Sequence, residues 1–117
     1  MNALGRHLLL ELKDCDRVLL DDLPALRALL KEAAVECGAE VLGDSFHRFN
    51  PQGVSGVVVI AESHIFIHTW PEHGYAAADV FTCGTKVKPE IAAQVLIKKL
   101  GSKNHVIVEM QRGILEP

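Results

Sequence analysis

Apolar residues recur along this chain with two periods, and the switches between them divide it into eight segments. Arg6-His7-Leu8-Leu9-Leu10-Glu11-Leu12 reads as a buried strand. Over residues 21–37 the spacing changes to three and four: Leu23, Leu26, Leu29, Leu30 and Ala33 line one face of a helix. Asp21 or Asp22 can cap that helix, Pro24 fits its first turn, and Gly38 stops it. Strands follow at about 40–48, 54–61, 64–70 and 75–83. A second helix is expected over about 88–100, with Ile91, Val95, Leu96 and Leu100 on its apolar face and Gly101 at its end. Residues 106–109 form a last short strand.

The order β-α-β-β-β-β-α-β predicts an α+β fold, a two-layer α/β sandwich. A mostly antiparallel sheet carries both helices on one face. Val57-Val58-Val59-Ile60-Ala61 is apolar without alternation, so both faces of that strand call for burial. The helices cover one. A second copy of the chain, packed sheet on sheet, is the simplest cover for the other, and a homodimer is expected.

Composition narrows the class. The 117 residues fit one compact domain, with no repeat, linker or low-complexity tract. A net charge of −3 gives no electrostatic footprint for nucleic acid. No apolar run approaches the ~20 residues that span a bilayer, and the N-terminus does not read as a signal peptide. Three widely spaced cysteines, Cys15, Cys37 and Cys83, argue against a disulfide framework and suit a reducing cytoplasm. No CxxC pair exists, and no metal is expected. His64 and His68 share a strand face but lie about 13 Å apart, too far for one ion.

One junction breaks a local rule. The strands ending at Ala61 and starting at His64 are joined by Glu62-Ser63 alone, whereas two-residue hairpins favour Asn-Gly, Asp-Gly or Gly-X. A broken rule between two strong strands marks a candidate functional site. The segments Gly53-Val54-Ser55-Gly56-Val57-Val58-Val59-Ile60, Glu62-Ser63-His64, Ile67-His68-Thr69-Trp70-Pro71-Glu72 and Phe81-Thr82-Cys83-Gly84 surround it. In order and spacing, these and the opening Leu4-Gly5-Arg6-His7 closely resemble the prokaryotic S-adenosylmethionine decarboxylases. The departures are His73, where a tyrosine is common, and a short C-terminal tail.

The resemblance implies a pyruvoyl-dependent enzyme that cleaves itself between Glu62 and Ser63 into chains 1–62 and 63–117. The pyruvoyl group, derived from Ser63, takes the part that pyridoxal phosphate plays elsewhere. The substrate is then S-adenosylmethionine, whose decarboxylated product supplies spermidine synthesis. By the same resemblance Cys83 is the proton donor in decarboxylation and His68 abstracts a proton during processing. Ser55 holds the processing intermediate or the proton-transfer geometry, Phe49 stacks on adenine, and Glu72 binds the ribose hydroxyls.

Strand geometry constrains where these groups meet. Ser63 and His68 are five residues apart on one strand, roughly 16 Å if it is regular. Cys83 returns on the next antiparallel strand to the level of residue 62 or 63. The expected site therefore takes Ser63 and Cys83 from one protomer and His68, Ser55, Phe49 and Glu72 from the other. Two other readings stay open at this point. An arginine or ornithine decarboxylase would keep the mechanism, and an unprocessed regulatory homologue would keep only the fold. Cys15 and Cys37 read as buried core residues, and His7, His47 and His105 carry no role.

Overall fold

The computed structural model describes residues 3–115 as one six-stranded antiparallel sheet with two helices on one face. The strands are β1 (Ala3–Lys13), β2 (Glu40–Arg48), β3 (Val54–Ala61), β4 (Ser63–Trp70), β5 (Tyr75–Cys83) and β6 (Asn104–Ile114). The helices are α1 (Leu23–Glu36) and α2 (Pro89–Lys99). The sheet order is β2-β3-β4-β5-β1-β6, so the four strands β2 to β5 form a meander and β1 closes beside β5.

Helix α1 begins where Asp22 turns extended and its carboxylate accepts the Ala25 N–H at 3.1 Å. Asp22 rather than Asp21 is therefore the cap, a contact worth about 1 kcal/mol. The helix ends at Cys37, and Gly38 follows with φ of 93°. Leu26, Leu29, Leu30, Ala33 and Ala34 are buried against the sheet and the second helix.

The apolar face of α2 keeps Leu96 and Leu100 of the four residues expected there and turns away from Ile91 and Val95. Pro89, Ala92, Ala93, Leu96 and Ile97 are buried, while Ile91 is exposed and Val95 only partly covered. Ala92 and Ala93 hold the middle of this buried face, and such small side chains add little to an apolar pattern. A pattern weighted towards large apolar residues misplaces such a face by part of a turn.

The sheet's two sides contrast. Leu8, Leu10 and Leu12 of β1, Val58 and Ile60 of β3, Ile65 and Ile67 of β4, and Ala78 and Val80 of β5 form the core under the helices. Positions between them face outward, and among the described residues no element covers that side. Val59 is 44% exposed there, and Met110 52%. The predicted double burial of β3 is thus half met within one chain.

Three boundaries move. Strand β1 is longer than 6–12, and β6 extends to 104–114 rather than 106–109. As an edge strand, β6 has nearly every residue exposed and buries no alternating set that would mark its ends. The β3–β4 loop shifts by one residue: Ile60 pairs with Ser63, leaving Ala61 and Glu62 as the loop residues. Ser63 belongs to β4. The Ala61–Glu62 and Asn50–Pro51 peptides are cis.

Candidate active site

The sheet sorts the candidate residues into two groups at opposite ends of β4. At its start, the Cys83 N–H donates to the Glu62 carbonyl at 3.1 Å. Ser63 lies opposite Thr82, and Cys83 opposite Gly5. A cleft of about 300 Å³ opens here, lined by Gly38, Glu40, Ala61, Glu62, Cys83, Lys86 and Val87. Cys83 is half-buried, whereas Cys15 and Cys37 are buried and their thiol pKa values are pushed up by that burial. The two buried thiols are inert core groups.

At the other end of the strand, Ser55 and His68 face each other across β3 and β4. The Ser55 hydroxyl bonds His68 Nδ1 at 2.6 Å. This leaves Nε2 as the imidazole atom free to move a proton. Phe49, Gln52, Gly53, Ser55, His68, Trp70 and Glu72 line a cleft of about 370 Å³. Phe49 is 46% exposed and Trp70 39%, so both rings offer a free face. Glu72 sits in the short 3-10 turn Pro71–His73, which ends at Gly74 with φ of 61°, a conformation suited to glycine.

The loop carrying Phe49 is tied to the start of α1. Asp21 accepts the Gly53 N–H at 2.8 Å and an Arg48 guanidinium N–H at 2.6 Å. Within the loop, the Phe49 N–H reaches the Gly53 carbonyl at 2.7 Å. Below it Thr69 accepts from the Val54 N–H at 2.9 Å and donates to the Leu20 carbonyl at 2.6 Å. The Gly53 N–H and then Arg48 hold the Asp21 carboxyl below its ordinary value of 3.8. Its folded pKa is therefore lower than its unfolded one. The stability it contributes is complete above the ordinary value and is lost as pH falls through the lowered one. Asp21→Asn should therefore lower the Tm at neutral pH, and the deficit should shrink on acidification below 3.8. Thermal melts of both proteins across that range check this.

Between the two ends lies a polar cluster that the sequence reading did not find. Asp79 accepts from Nε2 of both His7 and His64 at 2.8 Å, and Arg112 lies 3.3 Å from His7 Nδ1. These residues come from four strands, β1, β4, β5 and β6, and no spacing along the chain announces them. The three ligand-type atoms of His7, His64 and Asp79 lie within 4.8 Å of one another. Arg112 donates to His7 Nδ1, whereas a metal-bound imidazole directs that N–H to an acceptor. The cluster is thus a hydrogen-bonded network on the bare face.

Five of the named side chains, Ser55, His64, His68, Asp79 and Cys83, lie on that bare face. Ser63 and His68 occupy the first and sixth positions of one uninterrupted strand, about 16 Å apart. One chain does not bring them together. Small-molecule sites occupy about 300–1,000 Å³, and each cleft is at the low end of that range.

A two-layer α+β fold with reactive groups split between the ends of an uncovered sheet is a scaffold for chemistry on that surface. Similarity to known proteins identifies which. A family model described as S-adenosylmethionine decarboxylase matches residues 6–113. The S-adenosylmethionine decarboxylase proenzyme of Thermodesulfovibrio yellowstonii is 56% identical over 115 residues, covering 98% of this chain and 85% of the relative. That of Acetivibrio thermocellus is 53% identical over 116 residues, covering 99% and 94%. The crystal structure of the adenosylmethionine decarboxylase from Aquifex aeolicus matches with a TM-score of 0.93 at 38% identity, covering 99% of this chain and 96% of that one. The chain belongs to the S-adenosylmethionine decarboxylase family, a family of carboxy-lyases.

Proposed function

We propose that this chain cleaves itself at Glu62–Ser63 and, as a homodimer with shared sites, decarboxylates S-adenosylmethionine with a pyruvoyl group derived from Ser63. The observation that carries this reading is the hydrogen bond from the Cys83 N–H to the Glu62 carbonyl. That carbonyl belongs to the bond to be broken. A donor already aimed at it favours the negative charge that develops there under attack.

In the first step the Ser63 hydroxyl oxygen bonds to the Glu62 carbonyl carbon. The C–N bond between the residues breaks, and the hydroxyl proton ends on the Ser63 nitrogen. In the second, His68 of the other protomer takes the Ser63 α-proton. The Cβ–Oγ bond breaks, and Glu62 leaves with a free carboxylate. Water then replaces the nitrogen, which departs as ammonia. The sum is one peptide bond cleaved, one serine hydroxyl transferred to Glu62, and a pyruvoyl group heading the 63–117 chain.

The residues present fit such a group. Ser63 is the first residue of its strand, joined to β3 only by the Ala61-Glu62 loop, and a cleft lined by Cys83 and Lys86 adjoins it. When formed, the pyruvoyl carbonyl binds the substrate amine and takes up the electrons that carbon dioxide leaves behind. Cys83 returns a proton to the substrate from the same end of the sheet. Phe49 offers its exposed ring to adenine, and Glu72 its carboxylate to the ribose hydroxyls.

The dimer reading rests on two observations. Leu9, Val59, Trp70, Val106, Val108 and Met110 leave the bare face apolar around a polar centre, a pattern that marks an interaction surface. On that face Cys83 stands at one end and the Ser55–His68 pair at the other, with Ser63 at the same end of the sheet as Cys83. Packing two sheets about a two-fold axis that runs across the strands sets the Ser63 end of one against the His68 end of the other.

Carbon dioxide release from S-adenosylmethionine, arginine and ornithine tests the reading. Release from S-adenosylmethionine alone is the expected result. Release from arginine or ornithine without it would reject the substrate assignment.

A further inference from the structure

We infer that the Thr82 hydroxyl is the hydrogen-bond partner that holds the Ser63 hydroxyl for its attack on the Glu62 carbonyl. The inference rests on the self-cleavage proposed above and deepens it.

Three observations converge on Thr82. Its residue is 1% exposed, yet its hydroxyl is the one buried side-chain polar atom without a hydrogen-bond partner among the described residues. Burying such a group unpaired costs free energy, and a native core seldom keeps one without a reason. Second, Thr82 is the direct cross-strand neighbour of Ser63 in the β4–β5 ladder. Third, the bond from Cys83 N–H to the Glu62 carbonyl brackets that pair. In an antiparallel ladder a pair bracketed in this way is of the non-hydrogen-bonded kind, whose side chains approach most closely. Both side chains point to the helix-covered side of the sheet, while Cys83, one residue on, points to the bare side.

The chemistry needs such a group. Before Ser63 can attack, its oxygen must turn a lone pair towards the Glu62 carbon, and its O–H must point elsewhere. Threonine is branched at Cβ and stiff at χ1, so Thr82 offers a fixed acceptor. Serine is free to rotate, and rotation towards Thr82 pairs the orphan hydroxyl and aims the nucleophile together. The Cys83 N–H then steadies the carbonyl oxygen from the same strand. Two consecutive residues of β5 thus serve the two atoms that react, one by its side chain and one by its backbone.

Thr82→Val separates this role from packing, because it keeps the branched shape and removes only the hydroxyl. Cell-free synthesis of the full chain, followed by intact-mass spectrometry over time, gives the cleavage rate. Thr82→Val should cleave about ten- to a hundredfold more slowly than the natural chain. Its Tm should hold or rise, since an unpaired buried hydroxyl has gone. Thr82→Ser, which keeps the hydroxyl and loses the methyl group, should cleave near the natural rate. Hydroxylamine cuts esters, and it should release no fragments from the slow variant, because the ester between Ser63 and Glu62 has not formed. Cleavage of Thr82→Val at the natural rate overturns the inference. So does equal slowing in Thr82→Val and Thr82→Ser, which would mark a packing effect, or fragment release by hydroxylamine, which would place Thr82 after the attack. Failure of the natural chain itself to cleave would instead reject the underlying self-cleavage.

Discussion

Replacing Ser63 with alanine should leave a single uncleaved chain of 117 residues with no measurable decarboxylation. The natural chain should resolve into two pieces divided at 62/63, the second lacking a free amine at its start. Alanine lacks the oxygen that must bond to the Glu62 carbonyl carbon, so neither the ester nor the pyruvoyl group can form. The expected fall in carbon dioxide release is to background, at least about a thousandfold, because on the proposed mechanism the variant loses the electron sink itself rather than one contact. The fold should survive, since the Ser63 position is held by backbone pairing with Ile60 and Thr82, which alanine keeps. Intact mass, carbon dioxide release and a thermal melt of the same sample give all three readings. A cleaved Ser63→Ala chain, or one that still releases carbon dioxide, would remove Ser63 from the centre of the mechanism.

The second large effect concerns the division of the site between chains. Ser63→Ala and His68→Ala should each be inactive alone. Expressed together they should recover about a quarter of the natural activity, by symmetry. Random pairing makes half of the dimers mixed. In a mixed dimer one site carries both substitutions and the other neither. In the proposed arrangement the intact site draws Ser63 and Cys83 from the His68→Ala chain, and His68, Ser55, Phe49 and Glu72 from the Ser63→Ala chain. A site built within one chain would gain nothing from mixing. Recovery should appear as newly cleaved protein as well as activity, because the proposed mechanism uses His68 in processing. Absence of both products in a sample shown to contain mixed dimers would return the site to a single chain.

Much of this molecule is legible in its sequence. The order of elements, α1 with its Gly38 stop, and the tight hairpin between β3 and β4, to within one residue, follow from apolar spacing and turn chemistry. These signals are local, and a residue's neighbours along the chain carry them. The apolar run of β3 also shows that one sheet face lies open, because a strand apolar on both sides needs two covers and the chain supplies helices for one. The separation of Ser63 from His68 is legible too, since strand rise is fixed by covalent geometry.

Other features required the folded chain. The face of α2 depends on Ala92 and Ala93, which are buried but carry little apolar signal. The length of β6 is set by pairing with β1 and by no pattern of its own. The His7–Asp79–His64–Arg112 cluster joins residues up to 105 positions apart, through the cross-strand register alone. The same register sets Thr82 against Ser63 and the Cys83 N–H against the Glu62 carbonyl. Sequence by itself determined which residue types stand at which heights on which strands. Tertiary structure decided who faces whom, because side-chain chemistry acts over a few ångströms, and only the pairing of strands brings distant positions within that range.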